Sequence, residues 1–165
     1  MKLANIILAI TATLTTLVTG LFFAWSVSIT LGLLRVSDSE YVSVTQSTNR
    51  AIQNPLFFAA FFGAQIFLIV CLFLFYDQSS RFWFLLAATI FFTIGVMGVT
   101  IFGNVPMNNA LDSFDLKSAT QKEISTQRKN YERRWNNLNN VRTVSSTIAV
   151  ILVIIACLEA KNNNQ

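Results

Sequence analysis

An all-α fold is predicted: a four-helix transmembrane bundle with an interfacial helix in the first loop and a long, extended fourth helix. Three features of the 165-residue sequence predict it. Hydrophobic residues make up 53% of the chain and charged residues only 12%, about half the ~25% charge of a soluble domain. Charge is absent from four stretches, 3–34, 51–76, 82–111 and 143–158. The intervening loops carry apolar residues at helical spacing. A crossing helix needs about 20 apolar residues, and the first three stretches exceed that. The fourth has 16 uncharged residues and reaches spanning length when Arg142 and Glu159 extend their polar heads from its ends. Spans are expected at about 3–34, 55–76, 82–105 and 141–159, within a single integral membrane domain.

In the first element, Lys2 ahead of an apolar run has the look of a secretory signal. Its 32 uncharged residues far exceed the roughly 7–15 of a signal core, so a retained helix is expected. Gly20, Ala24, Ser28 and Gly32 fall on every fourth position, an expected contact stripe for close helix packing that would serve a homo-oligomer equally well. In the loop that follows, Ser37 and Glu40 have capping-box spacing. Tyr41, Val44, Thr48 and Ile52 then recur with helical period, predicting a short interfacial helix. It should end at Asn54-Pro55, where Asn54 caps and Pro55 opens the second span.

The second span repeats small residues at Ala59 and Gly63, and the third carries Gly95, Gly98 and Gly103. Phe57, Phe58, Phe61, Phe62, Phe91 and Phe92 supply bulk to both. Most of these rings are expected to face lipid, with an aromatic-walled pocket as the alternative. Pro106 should break or kink the third span and free backbone carbonyls. In the second loop, Ile124, Tyr131, Trp135, Leu138 and Val141 form a helical stripe that runs into the last span without Pro or Gly. One continuous helix from about 118 to 158 is expected, its first half projecting beyond the hydrocarbon and folding its stripe against the first loop or a partner.

Lys and Arg are unevenly shared between the two faces. The termini side holds Lys2, Arg81 and Lys161, whereas the loop side holds Arg35, Arg50, Lys117, Lys122, Arg128, Lys129, Arg133, Arg134 and Arg142. The positive-inside rule places the long loops in the cytoplasm. The compact chain and the lack of an organelle-targeting signal favour a bacterial inner membrane. The net charge of +4 reflects this asymmetry and requires no nucleic-acid partner.

Several chemistries are disfavoured. The chain has no histidine, which removes the commonest general base and metal ligand. No Asp, Glu, Lys or Arg falls inside a predicted span, Arg142 and Glu159 standing at the ends of the fourth, which argues against an ion-coupled transporter or pump. Cys71 and Cys157 form no Cys-x-x-Cys pair and read as small buried hydrophobes. No metal ligand set and no cofactor are expected.

The remaining polar residues gather at one depth on the loop side. Asn49, Arg50 and Asn54 stand before the second span, Asn104 and Asn108 at the end of the third, and Trp135, Asn139, Asn140 and Arg142 before the fourth. One reading is local: asparagines cap, arginines anchor, and Trp135 joins an interfacial aromatic belt. The other is a pocket in which amides and two guanidiniums converge on an oxygen-bearing hydrophobic ligand.

Four motifs carry a family resemblance. They are Gly20-Leu-Phe-Phe-Ala-Trp-Ser-Val-Ser, Asn49-Arg-Ala-Ile-Gln-Asn-Pro-Leu-Phe, Gly98-Val-Thr-Ile-Phe-Gly-Asn-Val-Pro-Met-Asn-Asn-Ala-Leu, and Trp135 followed by Asn139-Asn-Val-Arg-Thr. In order and spacing the chain resembles the anthrone oxygenase-like family of small four-helix membrane proteins, many of whose members are described only as a domain of unknown function. A few members are associated with oxidation of anthrones to anthraquinones. The resemblance implies an oxygenase acting without a cofactor on a hydrophobic aromatic substrate. Arg50 and Arg142 would stabilise negative charge on oxygen. Asn54, Asn104 and Asn108 would donate hydrogen bonds, Trp135 would stack on the rings, and Asn49 and Asn140 complete the expected substrate-binding set. Where family members often have Trp-Asn-His-Val-Arg-Thr, this chain has Leu138-Asn139-Asn140-Val141-Arg142-Thr143. Asn140 takes no proton, so a base at that position is unavailable. The alternative is a non-catalytic membrane protein holding a partner protein, lipid or quinone-like ligand. A partner surface requires Ile124 and Tyr131 exposed; an enzyme requires Arg50, Asn104 and Arg142 turned into one cavity.

Overall fold

The computed structural model describes residues 3–159, apart from the side chain of residue 79. Lys2 and Lys161 of the charge count lie outside the described residues. Five helices account for the fold: α1 (Leu3–Leu33), α2 (Asp38–Ala51), α3 (Pro55–Leu74), α4 (Ser80–Asp112) and α5 (Gln121–Glu159). No strand occurs among the described residues. All but α2 are long and apolar enough to cross a membrane.

The helix starts are set by short-range chemistry. Ser37 and Glu40 close the predicted capping box, the serine hydroxyl accepting from the Glu40 N–H at 3.3 Å and Glu40 Oε2 accepting from the Ser37 N–H at 2.8 Å. The Ser37 hydroxyl, donating to Glu40 Oε2 at 2.6 Å, and then the Ser37 N–H hold the Glu40 carboxyl below its usual range. Asn54 Oδ1 accepts from the Phe57 N–H at 3.0 Å and so caps α3, with Pro55 at its first position. Helix α5 starts at residue 121 rather than 118 because a second capping box forms there. Thr120 Oγ1 accepts from the Glu123 N–H, and Glu123 Oε2 accepts from the Thr120 N–H at 2.7 Å.

Pro106 does not break its helix. Upstream of it α4 widens to i→i+5 turns over Phe91–Gly98 and Thr100–Asn104, and α-helical winding resumes at Val105. Pro106 thus falls in the first turn after the widened one, the position at which a helix best tolerates a residue without an N–H. The helix therefore continues to Asp112, past the expected end at 105.

Helix α1 packs along both α3 and α5, and α4 packs along α5. Close packing of α3 on α4 falls mainly in the Ser79–Ile90 stretch. The core lies among these helices, with Leu8, Phe22, Leu68, Phe75, Leu85 and Phe92 fully or almost fully buried. Threonines in this core return their hydroxyls to their own helix, as Thr11 does to Ile7 O at 2.8 Å, so burying them leaves no polar group unpaired.

The small-residue stripe is not the packing face of α1. Leu8, Thr11, Thr15, Val18 and Phe22 fill that role, while a methyl at Gly20 or Gly32 would meet nothing within 4 Å. Close approach is made instead in α4. A Cβ at Gly95 would collide with the Ser145 side chain, and one at Gly103 would lie 2.9 Å from Leu138 Cδ1.

On the loop side α2 and the first half of α5 form a cap with its own apolar cluster of Leu33, Tyr41, Val42, Leu111, Ile124, Tyr131 and Trp135. Ile124 and Tyr131 are each 3% exposed, so the stripe folds inward onto α2. Val141, expected on the same stripe, faces outward.

Candidate functional site

Beneath this cap lies a cavity of about 550 Å³, bounded by α1, the α2–α3 corner, α4 and α5. Phe57, Phe58, Phe61 and Phe62 line it, with Phe22 and Trp25 from α1. Rings expected mostly to face lipid thus wall a pocket. Gly63 continues their helix against Leu14, which brings this part of α3 up to α1.

The polar groups converge at the cavity's α5 side. Asn108 Oδ1 accepts from Tyr131 Oη at 2.8 Å and from Trp135 Nε1 at 2.7 Å. The Asn49 amide donates to Tyr131 Oη at 3.2 Å. Asn139, almost fully buried, donates to Phe22 O at 3.2 Å and Ser26 Oγ at 2.8 Å. Its Oδ1 accepts from Arg142 at 2.8 Å. Trp25 and Trp135 meet with centroids 5.1 Å apart, completing an aromatic corner.

Arg142 is the site's outlying charge. It is 6% exposed, its guanidinium carbon lying 4.4 Å from the Phe22 centroid and 5.3 Å from that of Trp135. Thr100 Oγ1 accepts from it at 3.4 Å. Among the described residues no carboxylate pairs with it; the ion pairs join Arg50 to Asp112 and Arg128 to Asp38 and Glu132. Arg142 Nε has no acceptor. Asn104 is 1% exposed; its amide makes one long contact with Trp135 O at 3.5 Å, and its Oδ1 has no donor. A buried unpaired cation is costly, several kcal/mol even after relaxation. Two cavity-lining residues therefore hold complementary empty valences, one a charged donor and the other an acceptor.

The predicted site residues divide accordingly. Asn49, Asn54, Asn104, Asn108, Trp135 and Arg142 all line the cavity. Arg50 does not: its side chain is 62% exposed and pairs with Asp112 at 2.6 Å on the outer surface. It sits one position from Asn49, and on a helix neighbouring positions point about 100° apart, so only one of the two faces inward. Asn140 is exposed and accepts from Ser26 Oγ at 3.0 Å. Asn140 is therefore not among the residues that line the cavity. Sequence reasoning missed Trp25, Phe22 and Thr100 as lining residues. Trp25 and Phe22 lay within a recognised motif, but nothing in their spacing marked them as facing α5.

Among the described residues no group of His, Cys, Asp or Glu is arranged to hold a metal ion. Apart from Arg142, the cavity lining contains no side chain that titrates. The site is an aromatic-walled cavity with one cation and several amides at one end.

No curated protein and no solved structure matches the chain at a significant level. A family model described as anthrone oxygenase matches residues 55–152. That stretch runs from Pro55, the first residue of α3, past Asn104 and Arg142. Matched over more than half its length, and with both orphaned polar groups inside the matched stretch, the chain belongs to the anthrone oxygenase family.

Proposed function

We propose that the cavity binds a flat, oxygen-bearing aromatic molecule of the anthrone class and promotes its oxidation by dioxygen to the quinone. The observation that carries this reading is Arg142: a buried guanidinium without a carboxylate partner, held over aromatic rings and facing a cavity. A developing oxyanion on the ligand supplies the missing partner, and Asn104 Oδ1 accepts from a ligand hydroxyl.

The overall change converts an anthrone methylene and one O2 into a carbonyl and one water. The methylene carbon loses two hydrogens and gains one oxygen atom; the other oxygen leaves as water. Because the lining offers no base, the ligand gives up its first proton to water at the membrane interface and enters the cavity as its phenolate tautomer. That electron-rich anion reduces dioxygen directly. Arg142 lowers the energy of the anion by fixed charge in a site shielded from water, the effect that gives oxyanion sites their rate. Trp135 and the α3 phenylalanines hold the ring plane. Arg50 has no part in this scheme.

The same lack of a base favours a second reading, a carrier that holds a quinone or phenol without turnover. Oxygen uptake separates the two. With 1,8-dihydroxyanthrone in detergent micelles, the protein should accelerate oxygen consumption and quinone formation above micelles alone. Arg142→Ala should remove about 10²-fold or more of the acceleration, with Arg142→Lys intermediate. Equal rates for wild type and Arg142→Ala would overturn the assignment; binding without acceleration would establish the carrier.

We place the long loops in the cytoplasm of a bacterial inner membrane. Setting aside Arg50, Arg128 and Arg142, whose positions follow from ion pairs or the cavity, the loop side still holds six basic residues against three on the termini side.

A further inference from the structure

The walls of the cavity are not equally closed. On the loop side α2 is latched by polar contacts. Gln46 Nε2 donates to Leu111 O at 2.8 Å and Phe114 O at 2.9 Å, Asn49 reaches Tyr131, and Arg50 pairs with Asp112. The wall between α3 and α4 is different. Among the described residues one side-chain hydrogen bond joins these helices, from Thr93 Oγ1 to Gln65 Oε1 at 3.1 Å. Phe61 and Phe92 still touch at that level. Beyond it the helices part, since the close packing of α3 on α4 falls mainly in the stretch up to Ile90. Phe58 and Phe62 on one side and Ile101 and Val105 on the other line the cavity, yet each remains 40–48% exposed. The α4 rim is built on the widened turn Thr100–Asn104, a distortion that clusters at functional sites.

We infer that the slot between α3 and α4 is the ligand's entrance, opening sideways into the bilayer with Gln65 and Thr93 closing its lower end. Its chemistry is graded. Gln53, Asn54 and Asn109 stand at the upper end, and the apolar rims lie below, the order in which an amphipathic aromatic molecule settles at a membrane interface. A ligand entering there keeps its ring plane in apolar surroundings and brings its oxygens to Arg142 and Asn104 last. Entry from the loop side would break every latch of α2. The inference rests on the cavity taking an aromatic ligand, but not on turnover.

The test traps a probe. The protein, with Cys71, Cys157 replaced by Ala and Trp83 by Phe, is placed in phosphatidylcholine vesicles, and 1,8-dihydroxyanthraquinone binding is followed by quenching of Trp25 and Trp135. In the Phe58→Cys/Val105→Cys variant a cleavable thiol cross-linker bridges the slot. Bridging after loading should slow release by about ten-fold or more, bridging before loading should slow uptake alike, and cleavage of the bridge should restore both. Simple loss of cavity space would block uptake but not trap the probe, and a misfolded protein would not recover on cleavage. The same bridge at Arg50→Cys/Asp112→Cys, across the loop side, should leave both rates unchanged. Unaltered release with the slot bridged, or trapping by the loop-side bridge, would overturn the entrance while leaving the cavity reading intact. Failure of the probe to quench the unbridged protein would overturn both.

Discussion

Asn108 shows how much one residue holds at this site. Its Oδ1 is the acceptor for both the Tyr131 hydroxyl and the Trp135 indole, and both rings are at most 5% exposed. Asn108→Ala would strand two buried donors, each at about 1–3 kcal/mol. A loss of roughly 2–4 kcal/mol is expected in denaturant unfolding followed by tryptophan fluorescence. Asn108→Asp should retain the acceptor and lose less. A loss indistinguishable from zero for the alanine variant would mean that water replaces the amide. The sequence made Asn108 legible as polar and at the right depth, because Pro106 and the charge-free span fixed its height. It did not make Arg50 legible as an outsider. Both arginines flank spans, and only the angular position of Arg50 beside Asn49, with Asp112 within reach, turns it outward.

At the scale of the elements, helix starts were legible wherever a cap uses adjacent residues. Ser37 to Glu40 and Asn54 to Phe57 are contacts over three positions, so sequence spacing is spatial spacing. Packing faces were less legible. Small residues recur at every fourth position on α1, yet it is Gly63 of α3 and Gly95 and Gly103 of α4 that meet another helix, since which face turns inward depends on partners remote in sequence. This gives a paired prediction. Gly95→Ala places a methyl into the Ser145 side chain, and the resulting overpacking should cost about 1–3 kcal/mol. Gly20→Ala meets open space and gains helix propensity, so it should be neutral or stabilising by up to about 1 kcal/mol. Unfolding midpoints of the two variants in one detergent check the contrast. If Gly20→Ala proves the more damaging, α1 uses its small stripe against a second copy of the chain.

Across the whole molecule two apolar bodies are stacked, the spanning bundle and the loop-side cap, and Arg128 is the side chain that binds the cap to the end of α1. Its guanidinium donates to Leu33 O at 3.0 Å and Val36 O at 2.9 Å, pairs with Asp38 and Glu132, and lies 4.6 Å from the Tyr41 ring centroid. In the sequence it was one of nine loop-side cations, indistinguishable from Lys129 or Arg133, because its hydrogen-bond partners other than Glu132 lie 90 to 95 positions away. Charge-assisted bonds of this kind contribute about 1.5–3 kcal/mol each, but solvent reaches Asp38 and discounts that pair. The bundle core, from Leu8 to Ala156, contains none of the cap residues. Arg128→Ala should therefore loosen the cap without dissolving the spans. Amide exchange of α2 should quicken by about 10–100-fold, while exchange in Leu8–Phe22 and in the second half of α5 stays as in the wild type. Since α2 carries Asn49 and roofs the cavity, the same variant should bind the aromatic probe more weakly even though no cavity residue has changed. Uniform acceleration across all five helices would show instead that cap and bundle unfold as one cooperative body, and the cavity's roof would then be as stable as its walls.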